Sequence, residues 1–137
     1  MEVLVMNRKR ASKFSYANKN IRTAMISITD PDKPDNDIRI DENNVAFLLR
    51  CKFGDVVDPN NPYGISMEQA EEIANFVKEH KNKVKQIIVH CEGGVSRSSG
   101  VAAAIQKYIT GDDSKIFDSF RYRPNILCYR RVLEALM

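Results

Sequence analysis

The 137-residue chain contains no tryptophan and few of the features that mark specialised protein classes. Its three cysteines, Cys51, Cys91 and Cys128, are an odd number at wide spacing, which excludes a disulfide framework and a zinc knuckle. No apolar run approaches the length of a membrane helix. The opening "MEVLVM" carries Glu2 and is too short for an export signal. We therefore expect a cytoplasmic protein, in which a reactive thiol would stay reduced.

The charge balance excludes further classes. A net charge of +3 is too small to drive tight nucleic-acid binding, although it suits an anionic small substrate. With 43% hydrophobic and 28% charged residues, the composition is typical of a folded protein. The length suits one domain over residues 1–137. We expect a monomer that binds neither nucleic acid nor membrane.

Strand and helix patterns alternate along the chain. Apolar and β-branched residues predict strands at 1–6, 24–29, 45–53 and 86–91. Helical patterns cover 66–80, 98–109, 113–120 and 125–136. This order predicts an α/β fold with a mainly parallel sheet of four to five strands and helices on both faces.

Three of these helices carry clear end or face signals. Ser66 and Gln69 form a capping box, and Gly111 is placed to end the helix predicted at 98–109. Asn125 is placed to cap the last helix. The predicted inward faces are Ala70, Ile73, Ala74 and Val77; Val101, Ala104, Ile105 and Tyr108; and Ile126, Tyr129, Leu133 and Leu136.

The segment "IIVHCEGGVSRSSGVAAAI" (87–105) has the most chemical content. Ligands of parallel sheets lie at the carboxyl ends of strands, where Cys91 follows the last strand. Gly93 and Gly94 permit positive φ, so that successive N–H groups can converge on an anion. The helix beginning near Arg97 adds its positive end, and this field favours the thiolate of Cys91. Ser98 can donate to the sulfur, and the set predicts a phosphocysteine-forming enzyme.

These residues resemble a known family. "HCEGGVSRS" is similar to the H-C-x-x-G-x-x-R-S/T signature of the cysteine-dependent protein tyrosine phosphatases, particularly compact dual-specificity-like members. "RYRPNILCYRRVL" resembles their R-x-x-P-N ending, although Arg131 stands where they usually have Gln. "RCKFGDVVD" resembles the strand and loop of their general acid, so the resemblance covers about residues 45–137.

The resemblance implies a phosphomonoester hydrolase that needs no metal or other cofactor. The catalytic set is Cys91, Arg97, Asp55 and Ser98, and the phosphate-binding set is Glu92, Gly93, Gly94, Val95, Ser96 and Arg97. The expected substrate is a phosphorylated protein or a small phosphomonoester. Glu92 and the absence of loop lysines argue against polyphosphorylated inositides.

Several assignments stay open at the level of sequence. Asp55 is favoured as the acid, but Asp58 lies on the same loop (54–64) and precedes Pro59, a common turn setting. His90 is expected to brace the loop rather than to transfer protons. The basic run "NRKR" (7–10) and nearby Lys13 could rim the pocket or hold an anionic partner, but a solvated face is the favoured interpretation.

Two other functions compete with hydrolysis. A rhodanese-like sulfurtransferase also places a cysteine in a backbone nest, but it usually lacks the serine after the arginine and needs no upstream acid. Ser98 and Asp55 therefore argue against it. An inactive phosphate-binding module is the other alternative, and the joint presence of Cys91, Arg97 and a candidate acid argues against that one.

Overall fold

Four parallel strands form the central sheet of this computed structural model, which describes residues 1–18 and 20–137. In chain order they are β1 (Glu2–Met6), β2 (Thr23–Thr29), β3 (Phe47–Lys52) and β4 (Gln86–His90). Their order across the sheet is β1-β4-β2-β3, and every pairing is parallel. The predicted strands are confirmed with ends shifted by one or two residues, and the predicted α/β class is confirmed.

Both faces of the sheet are covered, as its consecutive apolar residues predict. Along β4, Ile87 and Val89 belong to the larger core, whereas Ile88 belongs to a second core on the opposite face. The larger core contains most of the buried helix residues, and the second contains Ile38 and Ile40 from the long segment between β2 and β3. The second core also contains Ala11 of the helix Arg8–Ala17, so the predicted arrangement of helices on both faces is confirmed.

The helices are α1 (Arg8–Ala17), α2 (Met67–His80), α3 (Arg97–Thr110), α4 (Ser114–Phe117) and α5 (Ile126–Leu136). A short 3-10 helix, Glu42–Asn44, precedes β3. The capping box of Ser66 and Gln69 is present at the start of α2. Gly111 ends α3 with φ of 79°, and Asn125 caps α5 by accepting the Cys128 N–H at 3.0 Å. None of the described helices combines the length and apolarity of a membrane span.

The sequence patterns do not predict helix α1. Asn7 caps it by accepting the Arg10 N–H at 2.8 Å, but only Ala11 and Ser15 of its ten residues are buried. Since one of these two buried positions is polar, the helix has almost no apolar stripe for a periodicity argument to detect. The run "NRKR" therefore belongs to the start of a helix instead of a loop.

Three of the four residues predicted to face inward from α5 are wrong, because the buried residue in each case is an immediate neighbour in the sequence. Leu127, Cys128, Val132 and Leu136 are the buried residues, while Ile126 is exposed. Tyr129 and Leu133 are only partly buried. Adjacent apolar pairs in this segment allow two overlapping stripes, and the contact between α5 and Gly100 of α3 selects one of them. Helix α4 is also shorter than the predicted 113–120.

Candidate active site

The cysteine and the arginine lie at the two ends of loop 91–97, which joins the carboxyl end of β4 to α3. Cys91 is 3% exposed, and its Sγ lies 3.0 Å from the Oγ of Ser98 in the first turn of α3. The small residues that follow Ser98 let α3 be buried along its first nine residues, so the helix start is fixed against the sheet. The structure therefore places the predicted nucleophile and the predicted donor in contact.

Loop 91–97 presents its N–H groups and turns its carbonyls away. Among the described residues, none accepts a hydrogen bond from the backbone N–H of residues 92–97. Three loop carbonyls are bound by neighbouring segments: Glu92 O by Arg8 N (3.2 Å), Val95 O by Arg123 N (3.0 Å) and Ser96 O by Asn125 N (3.0 Å). Successive free N–H groups of this kind form an anion-binding concavity.

Gly94 is required by this turn, whereas Gly93 is not. Gly94 has φ of +66°, and a Cβ there would lie 2.6 Å from the Asn7 nitrogen and 2.7 Å from the Met6 carbonyl carbon. Gly93 does not have positive φ and has open space around its Cα. Of the two glycines that permit positive φ in this loop, only Gly94 has it.

Arg97 is held by two groups that directly follow strands β2 and β3. Its Nη1 donates to Asp30 Oδ1 at 2.7 Å and to the carbonyl oxygen of Phe53 at 2.8 Å. No described residue accepts from its Nε or Nη2. Because Arg97 is only 6% exposed, the Asp30 carboxylate offsets much of the cost of burying its charge.

Asp55 contacts loop 91–97, and Asp58 does not. The Oδ1 of Asp55 accepts from Ser96 Oγ at 2.7 Å and from Asn125 Nδ2 at 2.8 Å. Asp58 instead accepts the N–H of Asn60 at 2.9 Å, which is a local turn. Of the two candidate acids, only Asp55 is brought to the loop by the described contacts.

His90 is completely buried behind the loop. Its Nε2 lies 2.6 Å from Ser27 Oγ, and its Nδ1 lies 3.3 Å from the carbonyl oxygen of Cys91. Burial lowers the pKa of His90 to about 4, and the charges of Arg8, Arg50 and Arg97 act in the same direction. The ring is therefore neutral at pH 7 and serves as a brace between β4 and β2.

The other two cysteines are core residues. Burial raises the pKa of Cys51 and that of Cys128 to about 12, with Glu72 and Asp55 respectively adding to the shift. Both thiols are therefore protonated and poorly reactive at neutral pH. All three cysteines are free.

The start of α1 forms one side of the loop. Arg8 donates to Asp37 Oδ2 at 2.5 Å and lies 3.4 Å from Glu92 Oε2. The interpretation of "NRKR" as a solvated face is therefore wrong for Arg8, although Lys9, Arg10 and Lys13 are exposed. The Arg8 guanidinium pairs with the carboxylates of both Asp37 and Glu92. This pairing reduces the charge that Arg8 and Glu92 present to solvent beside loop 91–97.

Two residues of the site were not predicted from the sequence to belong to it. Asp30 directly follows β2, so the rule that ligands lie at carboxyl ends of parallel strands was a usable signal. The sequence predicts Asn125 as a helix cap and as part of the R-x-x-P-N segment, and the cap is present. Its Nδ2 also donates to Asp55, and no local pattern predicts that contact.

The sequence matches no family model and no curated protein. Solved structures do match it. A human tyrosine phosphatase-like serine/threonine/tyrosine-interacting protein is 19% identical with a TM-score of 0.69, over 96% of this chain and 89% of that chain. A mouse putative dual specificity phosphatase, complexed with zinc tungstate, is 15% identical with a TM-score of 0.69, over 97% and 80%. PTPMT1 in complex with PI(5)P is 14% identical with a TM-score of 0.64, over 98% and 89%.

These likenesses extend over nearly the whole chain and establish its fold. It is the fold of the compact tyrosine and dual-specificity phosphatases, as the resemblance of loop 91–97 predicted. At such low identity the likeness concerns the fold, and the chemistry has to be argued from the site itself.

Proposed function

We propose that this protein is a phosphomonoester hydrolase that forms a phosphocysteine on Cys91. The observation that carries the proposal is a thiol at the start of a loop of unpaired N–H groups: Cys91 Sγ contacts Ser98 Oγ at 3.0 Å, and no described residue accepts from the backbone N–H groups of residues 92–97. A tetrahedral dianion is the ligand best matched to converging N–H groups and the start of α3.

Arg97 completes the cradle. Asp30 and Phe53 occupy only Nη1, so Nε and Nη2 are left for two phosphate oxygens. The fixed guanidinium and the loop N–H groups then stabilise the charge of the transition state without having to reorganise.

The reaction has two steps. In the first, Cys91 Sγ attacks phosphorus, the bond to the leaving oxygen breaks, and Asp55 gives that oxygen its proton. In the second, water attacks phosphorus, Asp55 takes a proton from the water, and the sulfur–phosphorus bond breaks to release phosphate. Ser98 donates to Cys91 as the sulfur leaves as a thiolate.

The contacts of Asp55 suit this role. Ser96 and Asn125 both donate to Oδ1, so Oδ2 is left to carry the transferable proton. The same contacts hold the carboxyl beside loop 91–97, where a leaving group must emerge. Substrates in this proposal are phosphorylated protein side chains or small phosphomonoesters.

Hydrolysis of an aryl phosphate by the purified protein, compared with Cys91→Ser, tests the proposal. Serine keeps the size of the side chain but is a poor nucleophile at neutral pH, so turnover should vanish while vanadate still binds. Cys128→Ser is the matched control, since that thiol is buried in the core. Undiminished turnover by Cys91→Ser would refute the mechanism, and vanadate binding without any turnover in the wild type would favour the inactive module.

A further inference from the structure

Strand β1 leaves one edge of the sheet unpaired. It pairs only with β4, and the described residues place no strand on its other side. Glu2 N donates to Lys85 O at 3.4 Å and Arg8 N to Glu92 O at 3.2 Å, so even-numbered residues turn their peptide groups toward β4. Val3 and Val5 therefore turn their N–H and C=O groups to the free edge.

A groove runs along this edge. Two depressions of about 260 Å³ and about 490 Å³ share Val3, Leu4, Gln106 and Lys115 in their walls, and together they extend from Met1 to Met6. They are lined by β1, by Arg10 of α1, by the end of α3, by α4 and by the segments on either side of α4. The groove has the length of a short extended peptide.

The charge of the groove indicates which kind of segment fits. Around its Val3–Met6 end, the lining residues include Arg10, Lys115 and Arg121 and no carboxylate. An acidic segment would pair with these cations, whereas Glu2 and Asp112 line the other end of the groove.

The cationic end of the groove adjoins loop 91–97. Gly94 packs against Met6 and Asn7 at the end of β1, and Arg123 N donates to Val95 O at 3.0 Å from the loop that also contains Arg121. A substrate polypeptide that extends from loop 91–97 on this side would therefore reach the groove.

We propose that the free edge of β1 binds an extended, acidic segment of the phosphoprotein substrate by β-strand addition. This inference rests on the proposed function for the identity of the partner. Backbone pairing with Val3 and Val5 supplies the register, and Arg10, Lys115 and Arg121 select acidic side chains at the end nearest the active site.

The test uses a fluorescein-labelled octapeptide of alternating glutamate and valine, with binding followed by fluorescence anisotropy. We expect binding that weakens with added salt, and no binding of the matched lysine–valine peptide. Two versions of the peptide are N-methylated, each on one of the two alternating sets of amides. The version whose methylated amides face β1 should lose binding, and the other should retain it. Equal binding by both methylated peptides, or by the lysine–valine peptide, would overturn the proposal.

Protein variants give the second arm. Arg10→Ala combined with Arg121→Ala should weaken binding about tenfold, whereas Arg130→Ala, exposed on α5 and outside the groove, should not. A dimer in sedimentation velocity that the peptide does not dissociate would mean that a second copy covers the edge, and would overturn the proposal.

The two proposals fail separately, because the octapeptide carries no phosphate. A protein that hydrolyses an aryl phosphate but does not bind the octapeptide would refute the groove alone. A protein that binds the octapeptide but hydrolyses nothing would refute the proposed function alone. Attaching the acidic segment to a phosphotyrosine should lower KM for hydrolysis, and the Arg10/Arg121 double variant should remove that advantage.

Discussion

At the scale of single residues, the ion pair of Arg97 and Asp30 holds the phosphate-binding arginine against a carboxylate that follows β2, far from loop 91–97 in the sequence. Asp30→Asn keeps an oxygen acceptor but removes the charge that offsets the buried guanidinium. We expect kcat/KM for an aryl phosphate and the affinity for vanadate to fall together by about tenfold. Asp32→Asn, exposed two residues away, is the control. Unchanged vanadate affinity in Asp30→Asn would show that Asp30 does not position Arg97.

The identity of the acid is tested by the leaving group. Asp55→Asn should lose most activity toward alkyl phosphates, whose leaving oxygens need a proton, and much less toward an aryl phosphate with a stable phenolate. Asp58→Asn should change both only slightly, since Asp58 holds a local turn. Steady-state rates across a series of leaving groups provide the measurement. A leaving-group-dependent loss in Asp58→Asn would assign the acid to Asp58.

His90 should make the stability of the fold depend on pH. Its pKa is about 4 in the folded protein, against 6.5 for the free side chain, so protonation favours the unfolded chain. The stabilisation is fully present above about pH 6.5 and is lost as the pH falls toward 4, up to about 3 kcal/mol. In His90→Gln, the free energy of unfolding in urea should therefore fall less over this range. An unchanged pH dependence would show that other groups dominate.

The residues that could be predicted from the sequence are those that are close together in it. Cys91, Arg97 and Ser98 lie on one eight-residue segment, so their mutual contacts follow from a local strand-to-helix turn. Asp30 and Asn125 reach the same site from other elements. Their contribution depends on strand order and helix packing, which local patterns do not determine.

At the scale of elements, the contact of α3 with α5 controls where Asn125 lies. A Cβ at Gly100 would be 2.5 Å from the Asn125 carbonyl oxygen and 3.2 Å from Cys128 Cβ. Alanine alone would stabilise a helix interior by about 0.5–1 kcal/mol. Overpacking costs about 1–3 kcal/mol, so Gly100→Ala should be destabilising on balance.

Urea unfolding and kinetics together check this prediction. Gly100→Ala should lower both the free energy of unfolding and the activity, because Asn125 carries a contact of Asp55. The control is Gly111→Ala, which meets no atom within 4 Å and strains only a helix end, so activity should persist. A Gly100→Ala protein as stable and active as the wild type would contradict the packing described for α5.

Elements were predictable where one physical signal dominated. Helix α2 has both a capping box and a single apolar stripe, and the sequence locates its ends to within one residue. Helix α1 has a cap but almost no apolar stripe, and α5 has two competing stripes. In these two cases tertiary contacts decide the outcome, and the sequence pattern alone predicts it poorly.

At the scale of the whole molecule, the strand order β1-β4-β2-β3 assembles the site. Because β2 lies between β4 and β3, the carboxyl end of β2 brings Asp30 beside Arg97, and the segment after β3 brings Phe53 and Asp55 to the same edge. The sequence predicts a parallel sheet but not this order. The order leaves β1 at an edge, where the proposed docking groove lies.

The measurement that tests the central claim most directly is mass spectrometry of the protein after a rapid denaturing quench during turnover of an aryl phosphate. We predict one added phosphoryl group on the peptide that contains Cys91, with more of it in a variant that slows the second step. Cys91→Ser should show none. Turnover of the wild type with no phosphoryl group on Cys91, or with the group on another residue, would contradict the account.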